Sequence, residues 1–338
     1  MKRKPLLHIA LLAATIFCLG SLLYMLLPVP NDITEDTNLP VLTDSLPLLE
    51  KQIMASERAE KNLKPDNEAR IIWHDSTKKN KTPVSVVYLH GFSASQGEAH
   101  PVHIEFARRY GCNLYLSRLY GHGINSAEPL LNVTADSLIK SAKYAVAVGK
   151  KIGERVILMS TSTGSTLSMY IASAHPDIMA LIMFSPNVDL FDPRSSILTM
   201  PGGLYIARFI LGSKYYSFTG PAGFEKYWTA KYRAEAIVEL KQLIKHTMHE
   251  QLFSKIRMPV FMAYYYKNET QQDNVVSVKK MLEMFQKLGT PKHKKRKVVL
   301  PEAGTHALAS GLWSQDIHAA LCETFHFAES ILEMKPLK

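Results

Sequence analysis

The sequence predicts an α/β fold: a mostly parallel sheet with helices on both faces. Two observations carry that reading. Short apolar runs recur along the chain with helix-forming stretches between them, and parallel strands need such crossovers. In addition, the apolar run 156–159 passes through Ser160-Thr-Ser-Thr-Gly164 into a helix-forming stretch at 165–174, a strand-turn-helix unit with only small residues at the turn.

The elements follow in order. Residues 6–27 contain no charged residue and are long enough for a membrane span. A cleavable signal segment is the competing reading, but it would be shorter and end in a small-x-small site, whereas this run ends in Met25-Leu-Leu-Pro-Val-Pro30. Lys2, Arg3 and Lys4 precede the run; Asp32, Glu35 and Asp36 follow it. The expectation is an N-terminal membrane anchor over 1–30, with the rest of the chain on the non-cytoplasmic side. Residues 28–47, rich in Pro, Asp, Asn and Thr, read as a linker, and 46–62 as a helix before the core. Strands are expected at 70–73, 84–89, 113–117, 156–160, 181–184, 260–265 and 297–300. Helices are expected at 101–110, 135–150, 165–174, 276–288 and 314–334. Between Pro186 and Pro259 no strand is evident, and the stretch is rich in Met and aromatics, among them Phe191, Met200, Phe209, Tyr216, Phe218 and Trp228. An insertion of this size after a core strand predicts a helical cap over about 187–257, whose apolar side chains either only pack the cap onto the core or in part line an apolar substrate pocket or touch lipid.

Composition excludes some functions. The chain has 338 residues, 46% of them hydrophobic, enough for one large domain. Its net charge of +10 includes two clusters, Lys2-Arg3-Lys4 and the run 292–297, the latter expected as a solvated loop. No aromatic-interleaved basic stripe accompanies them, so nucleic-acid binding is not expected. Cys112 and Cys322 are the cysteines outside the apolar segment, and both read as buried thiols. No metal-ligand spacing is present.

The turn at Ser162 lacks only one glycine of the G-x-S-x-G nucleophile elbow, Ser160 standing in its place. A serine hydroxyl needs a base, and the base needs an orienting carboxylate. His306 follows a small-residue loop, Glu302-Ala-Gly-Thr-His306, after the last strand, where catalytic groups collect in α/β sheets. Asp273 lies between them, after the strand 260–265; Glu269 is the alternative acid, and a capping role for Asp273 is the competing one. The order serine, acid, histidine is that of α/β-hydrolases. At the end of another strand, Leu89-His90-Gly91-Phe92 offers a loop amide for an oxyanion, so that the N–H groups of Phe92 and Thr163 form the expected donor pair. His90, Gly91, Gly164 and His122 are expected to shape the surrounding loops.

Taken together, His90-Gly-Phe, Gly121-His-Gly123, the Ser162 elbow, Asp273 and Gly304-Thr-His306 resemble the α/β-hydrolase superfamily. The closest resemblance is to its monoacylglycerol lipase and lysophospholipase branch (serine aminopeptidase-like), over about residues 70–332. The resemblance implies an eight-stranded sheet, a cap after strand 6, no cofactor, and hydrolysis of carboxylic esters, lipid or acyl esters in particular, through an acyl-enzyme. It divides the chain into an anchor at 1–30, a linker with pre-core helix at 31–66 and a hydrolase domain at 67–336. A peptidase or amidase would use the same triad, and a non-catalytic binding protein of this fold is the alternative from a different class. One further departure is Arg118, where that branch usually carries aspartate; a salt bridge to Glu98 is one expectation for it.

Overall fold

The computed structural model describes residues 4–337, with no side chain described at 4–7, 9 and 10. Its centre is a seven-stranded sheet in the order β1-β3-β2-β4-β5-β8-β11. The strands are β1 (Arg70–Ile72), β2 (Thr82–Leu89), β3 (Asn113–Leu116), β4 (Gly153–Thr161), β5 (Ala180–Phe184), β8 (Val260–Tyr264) and β11 (Lys295–Val299). All neighbours pair in parallel except β1, which runs antiparallel to β3 at one edge. Two small hairpins lie outside the sheet, β6 (Tyr215–Ser217) with β7 (Lys231–Arg233) and β9 (Tyr266–Asn268) with β10 (Gln271–Gln272). The sheet has one strand fewer than the eight that the resemblance implies. The residues ahead of β1 form helix α2 (Leu46–Ala59) instead, started by Pro47 in its first turn and by the Ser45 hydroxyl, which accepts the Leu48 N–H.

Alternation along the strands divides the core. Val87 and Leu89 of β2 face one cluster, packed under α2, α4 (Ala135–Ile152), α5 (Thr163–Ala172), α7 (Ala234–Thr247), α8 (Glu250–Phe253) and α9 (Val278–Lys287). Val86 and Tyr88 face the other, under α3 (Val102–Tyr110) and α10 (Ile317–Ser330). The central strands are buried on both faces, as near-continuous apolar runs require. Part of the basic run expected as a loop is edge strand: β11 begins at Lys295, and its charges, such as Arg296 paired with Glu323, suit a sheet edge. Cys322 is exposed on α10 rather than buried, while Cys112 is buried as expected.

Between β5 and β8 the chain leaves the sheet through a 3₁₀ turn (Pro193–Thr199), α6 (Gly203–Leu211), the β6–β7 hairpin and α7. Its apolar residues divide into two sets. Phe191, Tyr216, Phe218 and Trp228 border a cavity, Phe191 and Tyr216 from its exposed rim, whereas the exposed Tyr205, Ile206, Phe209 and Ile210 lie away from it.

The N-terminal expectation is corrected. Helix α1 (Lys4–Met25) runs through the apolar segment, yet among the described residues no helix is long and apolar enough to cross a membrane. The anchor over 1–30 is thus not supported. The membrane as a partner falls with it, as does the placement of the rest of the chain on the non-cytoplasmic side. Lys2 and Arg3, which oriented that placement, lie outside the described residues.

Residues 28–45, read as a linker, are strapped to the domain by polar contacts. Asp136 at the start of α4 accepts the N–H groups of Thr34 and Glu35, both at 2.9 Å. Lys143, buried on the same helix, pairs with Glu35 and Asp36 at 2.8 and 2.9 Å. The Tyr170 hydroxyl on α5 donates to the Glu35 carbonyl, and the Pro28 carbonyl accepts from Gly202. Arg118 likewise belongs to the scaffold. Its guanidinium pairs with Glu57 of α2 (2.6 Å) and with Glu60 just past the end of that helix (3.4 Å), not with Glu98, and holds the helix against the sheet.

Candidate active site

The candidate serine stands at the join of β4 and α5. Ser162 has φ 52° and ψ −117°, a backbone region costly for any residue with a side chain, and its N–H donates to the Phe184 carbonyl at 3.0 Å. Gly164 explains how the turn closes. A Cβ there would lie 2.0 Å from the Leu89 carbonyl oxygen and 2.8 Å from that of His90. Ser160 does not obstruct the elbow. It sits in the ladder between Leu89 and Met183, and its buried hydroxyl is 3.1 Å from that of Ser165 in α5, so a hydrogen bond satisfies both groups.

His306 and Asp273 meet from two loops at the same ends of β11 and β8. His306 Nδ1 is 2.6 Å from Asp273 Oδ2. Because that carboxylate can only accept, Nδ1 carries the proton and Nε2 is left without one. Asp273 has a second task, since its Oδ1 accepts the N–H groups of Val275 and Val276 at 2.9 and 3.0 Å. These bonds shape the turn ahead of α9, whose N-cap is Ser277, so the helix-capping role weighed for Asp273 falls to Ser277. Glu269 is exposed on the outer hairpin, accepting the Tyr266 hydroxyl, and does not reach His306. Burial by itself would hold the His306 ring below the ordinary histidine pKa, but the charge and hydrogen bond of Asp273 carry it above that value. The Ser185 hydroxyl, at φ 44° just past β5, donates to the His306 carbonyl at 2.8 Å and pins the loop from beneath.

The loop after β2 completes the arrangement. Phe92 N–H has no acceptor among the described residues, and Thr163 N–H is among the orphan donors of the first turn of α5. Both residues line the cavity that contains Ser162 and His306. His90 is structural: its Nε2 accepts the Leu119 N–H at 3.0 Å while Nδ1 donates to the Gly91 carbonyl at 2.9 Å. Burial, reinforced by His122, holds its pKa well below the ordinary value, so the ring stays neutral. His122 packs edge-on against Phe92 and is lowered to about 4 by burial. No hydrogen bond joins the Ser162 hydroxyl to the His306 ring.

The cavity has a volume of about 530 Å³ and a largely apolar wall that includes Leu190, Phe191, Phe218 and Trp228. Several residues of its lining carry a buried polar atom with no hydrogen-bond partner among the described residues, including Thr163 Oγ1, Asn187 Oδ1 and Trp313 Nε1. Sequence reasoning did not single out Ser185, Asn187 or Trp313, and it considered Glu98 only as a partner for Arg118. No spacing or composition marks these positions, because contacts across the fold alone bring them to the site.

No protein-family model matches the chain. Over 128 residues it is 29% identical to the thermostable monoacylglycerol lipase of Bacillus sp. (strain H-257), an alignment covering 38% of this chain and 49% of that protein. The chain thus spans about half the length of this curated relative. Among solved structures, a metagenome-derived lipolytic enzyme superposes with a TM-score of 0.62 at 17% identity, covering 78% of this chain and 98% of the other. Monoglyceride lipase from Saccharomyces cerevisiae gives 0.57 at 11% identity, covering 77% and 91%. At those identities the structural likeness is one of fold. The chain has the α/β-hydrolase fold, and its likeness in sequence runs to the monoacylglycerol lipase branch of that superfamily.

Proposed function

We propose that this chain is a serine hydrolase of carboxylic esters, acting on acyl or lipid esters through an acyl-enzyme. The observation that carries the proposal is the meeting, at one cavity, of a strained serine and an aspartate-bound histidine whose free nitrogen can serve as base. In this reading Ser162 Oγ attacks the acyl carbon while His306 Nε2 takes its proton. The developing oxyanion is held by the N–H groups of Phe92 and Thr163. His306 then returns the proton to the departing alcohol, leaving Ser162 acylated. A water molecule, deprotonated by the same nitrogen, attacks the ester so formed and releases the acid. The missing serine–histidine hydrogen bond is compatible with this sequence, since such contacts tighten when substrate binds. The excursion over residues 187–257 acts as a cap whose inner aromatic residues receive the acyl chain. The aromatic wall and the likeness to a monoacylglycerol lipase both favour a substrate with an extended apolar chain.

The test is covalent. A fluorophosphonate probe is expected to label the wild-type protein and to leave Ser162→Ala unlabelled, read by mass spectrometry of the intact chain. Equal labelling of both proteins, or none of the wild type, overturns the reading. In a panel of esters differing only in acyl length, kcat/KM is expected to rise from acetyl towards longer chains. A preference for acetyl counts against the lipid-type substrate.

A further inference from the structure

Glu98 lies in a short 3₁₀ turn (Gln96–Ala99) behind the loop that bears Phe92, and only 3% of its surface is exposed. One carboxyl oxygen is fully engaged: Oε2 accepts the Gly91 N–H at 2.6 Å and the Tyr88 hydroxyl at 2.9 Å. The other, Oε1, makes no hydrogen bond among the described residues, and the side chain lines the cavity. Oε1 is also close to the reacting centre. A Cβ placed on Gly91 would be 2.7 Å from it and 3.3 Å from Ser162 Cβ. The groups that set the charge state of Glu98 are Gly91, Tyr88 and the His306 ring, with no lysine or arginine among them.

These facts constrain the state of the carboxyl. As an anion it would be buried with no lysine or arginine to pair with, its cationic neighbour being the His306 ring only when that is protonated, and it would stand beside the oxyanion that the reaction creates, opposing it. As a neutral acid its proton belongs on Oε1, because Oε2 already accepts two donors. We propose that Glu98 is a further catalytic residue of the hydrolysis, a neutral carboxylic acid whose Oε1–H donates a hydrogen bond to the reacting carbonyl oxygen beside Phe92 N–H and Thr163 N–H. The proposal rests on the serine-hydrolase reading given above. Burial pushes the Glu98 carboxyl above its ordinary value, against the opposing effect of the Gly91 and Tyr88 hydrogen bonds, which is the direction this role needs. A carboxylic acid in an apolar site can remain protonated at neutral pH and act as a donor.

The decisive measurements are an infrared difference spectrum and two substitutions, all on the full chain. The spectrum of wild type minus Glu98→Gln at neutral pH is expected to contain a C=O band of a protonated carboxyl. Glutamine offers an oxygen to Gly91 and Tyr88 and an N–H to the cavity, so Glu98→Gln is expected to lose no more than about tenfold in kcat. Glu98→Leu removes the donor and is expected to lower kcat about 10²-fold with KM much less affected. Absence of the band overturns the proposal, as does a Gln variant as impaired as the Leu variant. Should Glu98→Leu fail to fold, the spectrum and the Gln variant decide alone. Labelling of wild-type Ser162 by the fluorophosphonate tests the underlying reading separately: no labelling defeats the hydrolase, while a missing band with labelling intact defeats only the role of Glu98.

Discussion

Asp273→Asn is expected to lower kcat about 10⁴-fold while leaving the protein folded. The reason is tautomeric. Asparagine keeps an oxygen for the Val275 and Val276 N–H groups, so the loop retains its hydrogen bonds. Its amide nitrogen then faces His306 Nδ1, which must accept where it formerly donated. The ring proton moves to Nε2, the nitrogen that must be free to take the Ser162 proton. The pH profile supplies an independent readout. Activity requires His306 neutral, so it is lost as pH falls through the pKa of that ring in the folded protein. Asp273 holds this pKa above the ordinary histidine value, despite the lowering effect of burial. The acid limb of kcat/KM for the wild type should therefore lie above about pH 6.5, and in the Asn variant the residual activity should persist to lower pH. A variant with full kcat, or with an unmoved acid limb, contradicts the assigned role.

The second large effect is expected at Gly164. Every near neighbour of an added Cβ there is main chain: the Leu89 carbonyl oxygen at 2.0 Å, its carbon at 2.5 Å and the His90 carbonyl oxygen at 2.8 Å. No rotamer change relieves such contacts, so Gly164→Ala must part β2 from the first turn of α5. A loss of about 3 kcal/mol is expected, at the upper end for overpacking. Because the same movement displaces Ser162 from the Phe92 loop, fluorophosphonate labelling should fall in parallel. Urea unfolding and a labelling time course measure both quantities. A variant within about 1 kcal/mol of wild type that labels at the normal rate shows that the elbow is looser than these distances imply.

The sequence revealed most where a local rule sufficed. Strands β2, β4, β5 and β8 are short apolar runs, and a strand buried on both faces can hardly be written otherwise. Ser162, Asp273 and His306 could be put forward as a set because the superfamily order constrains where such residues fall, although sequence alone could not choose between Asp273 and Glu269. The choice turns on a hairpin, β9–β10, that directs Glu269 outwards and delivers Asp273 to the ring. The substituted elbow residue was a matter of three dimensions as well. Ser160 is tolerated because its hydroxyl has Ser165 to bond with, a partner five positions on across the turn. Glu98 gave no signal, since an isolated acid in a polar loop looks the same whether it meets water or the reacting centre. The N-terminal segment misled for the opposite reason. Its apolar composition is plain, yet among the described residues no helix is long and apolar enough to cross a membrane.

The strap over residues 28–45 bears on what lengths of chain this architecture can accept. A flexible tether tolerates added or missing residues at little cost. This segment is held at Pro28 by Gly202, at Thr34 and Glu35 by Asp136, and at Ser45 by the first turn of α2. An inserted residue can bulge outwards between those points, but a deletion has no slack to draw on. It must release either the amides on Asp136 or the acids on Lys143, and the latter choice strands a buried ammonium. Eighteen positions without helix or strand before α2 thus carry a fixed spacing, as a hinge pin does, and changes of length should be far less freely accepted there than changes of side chain.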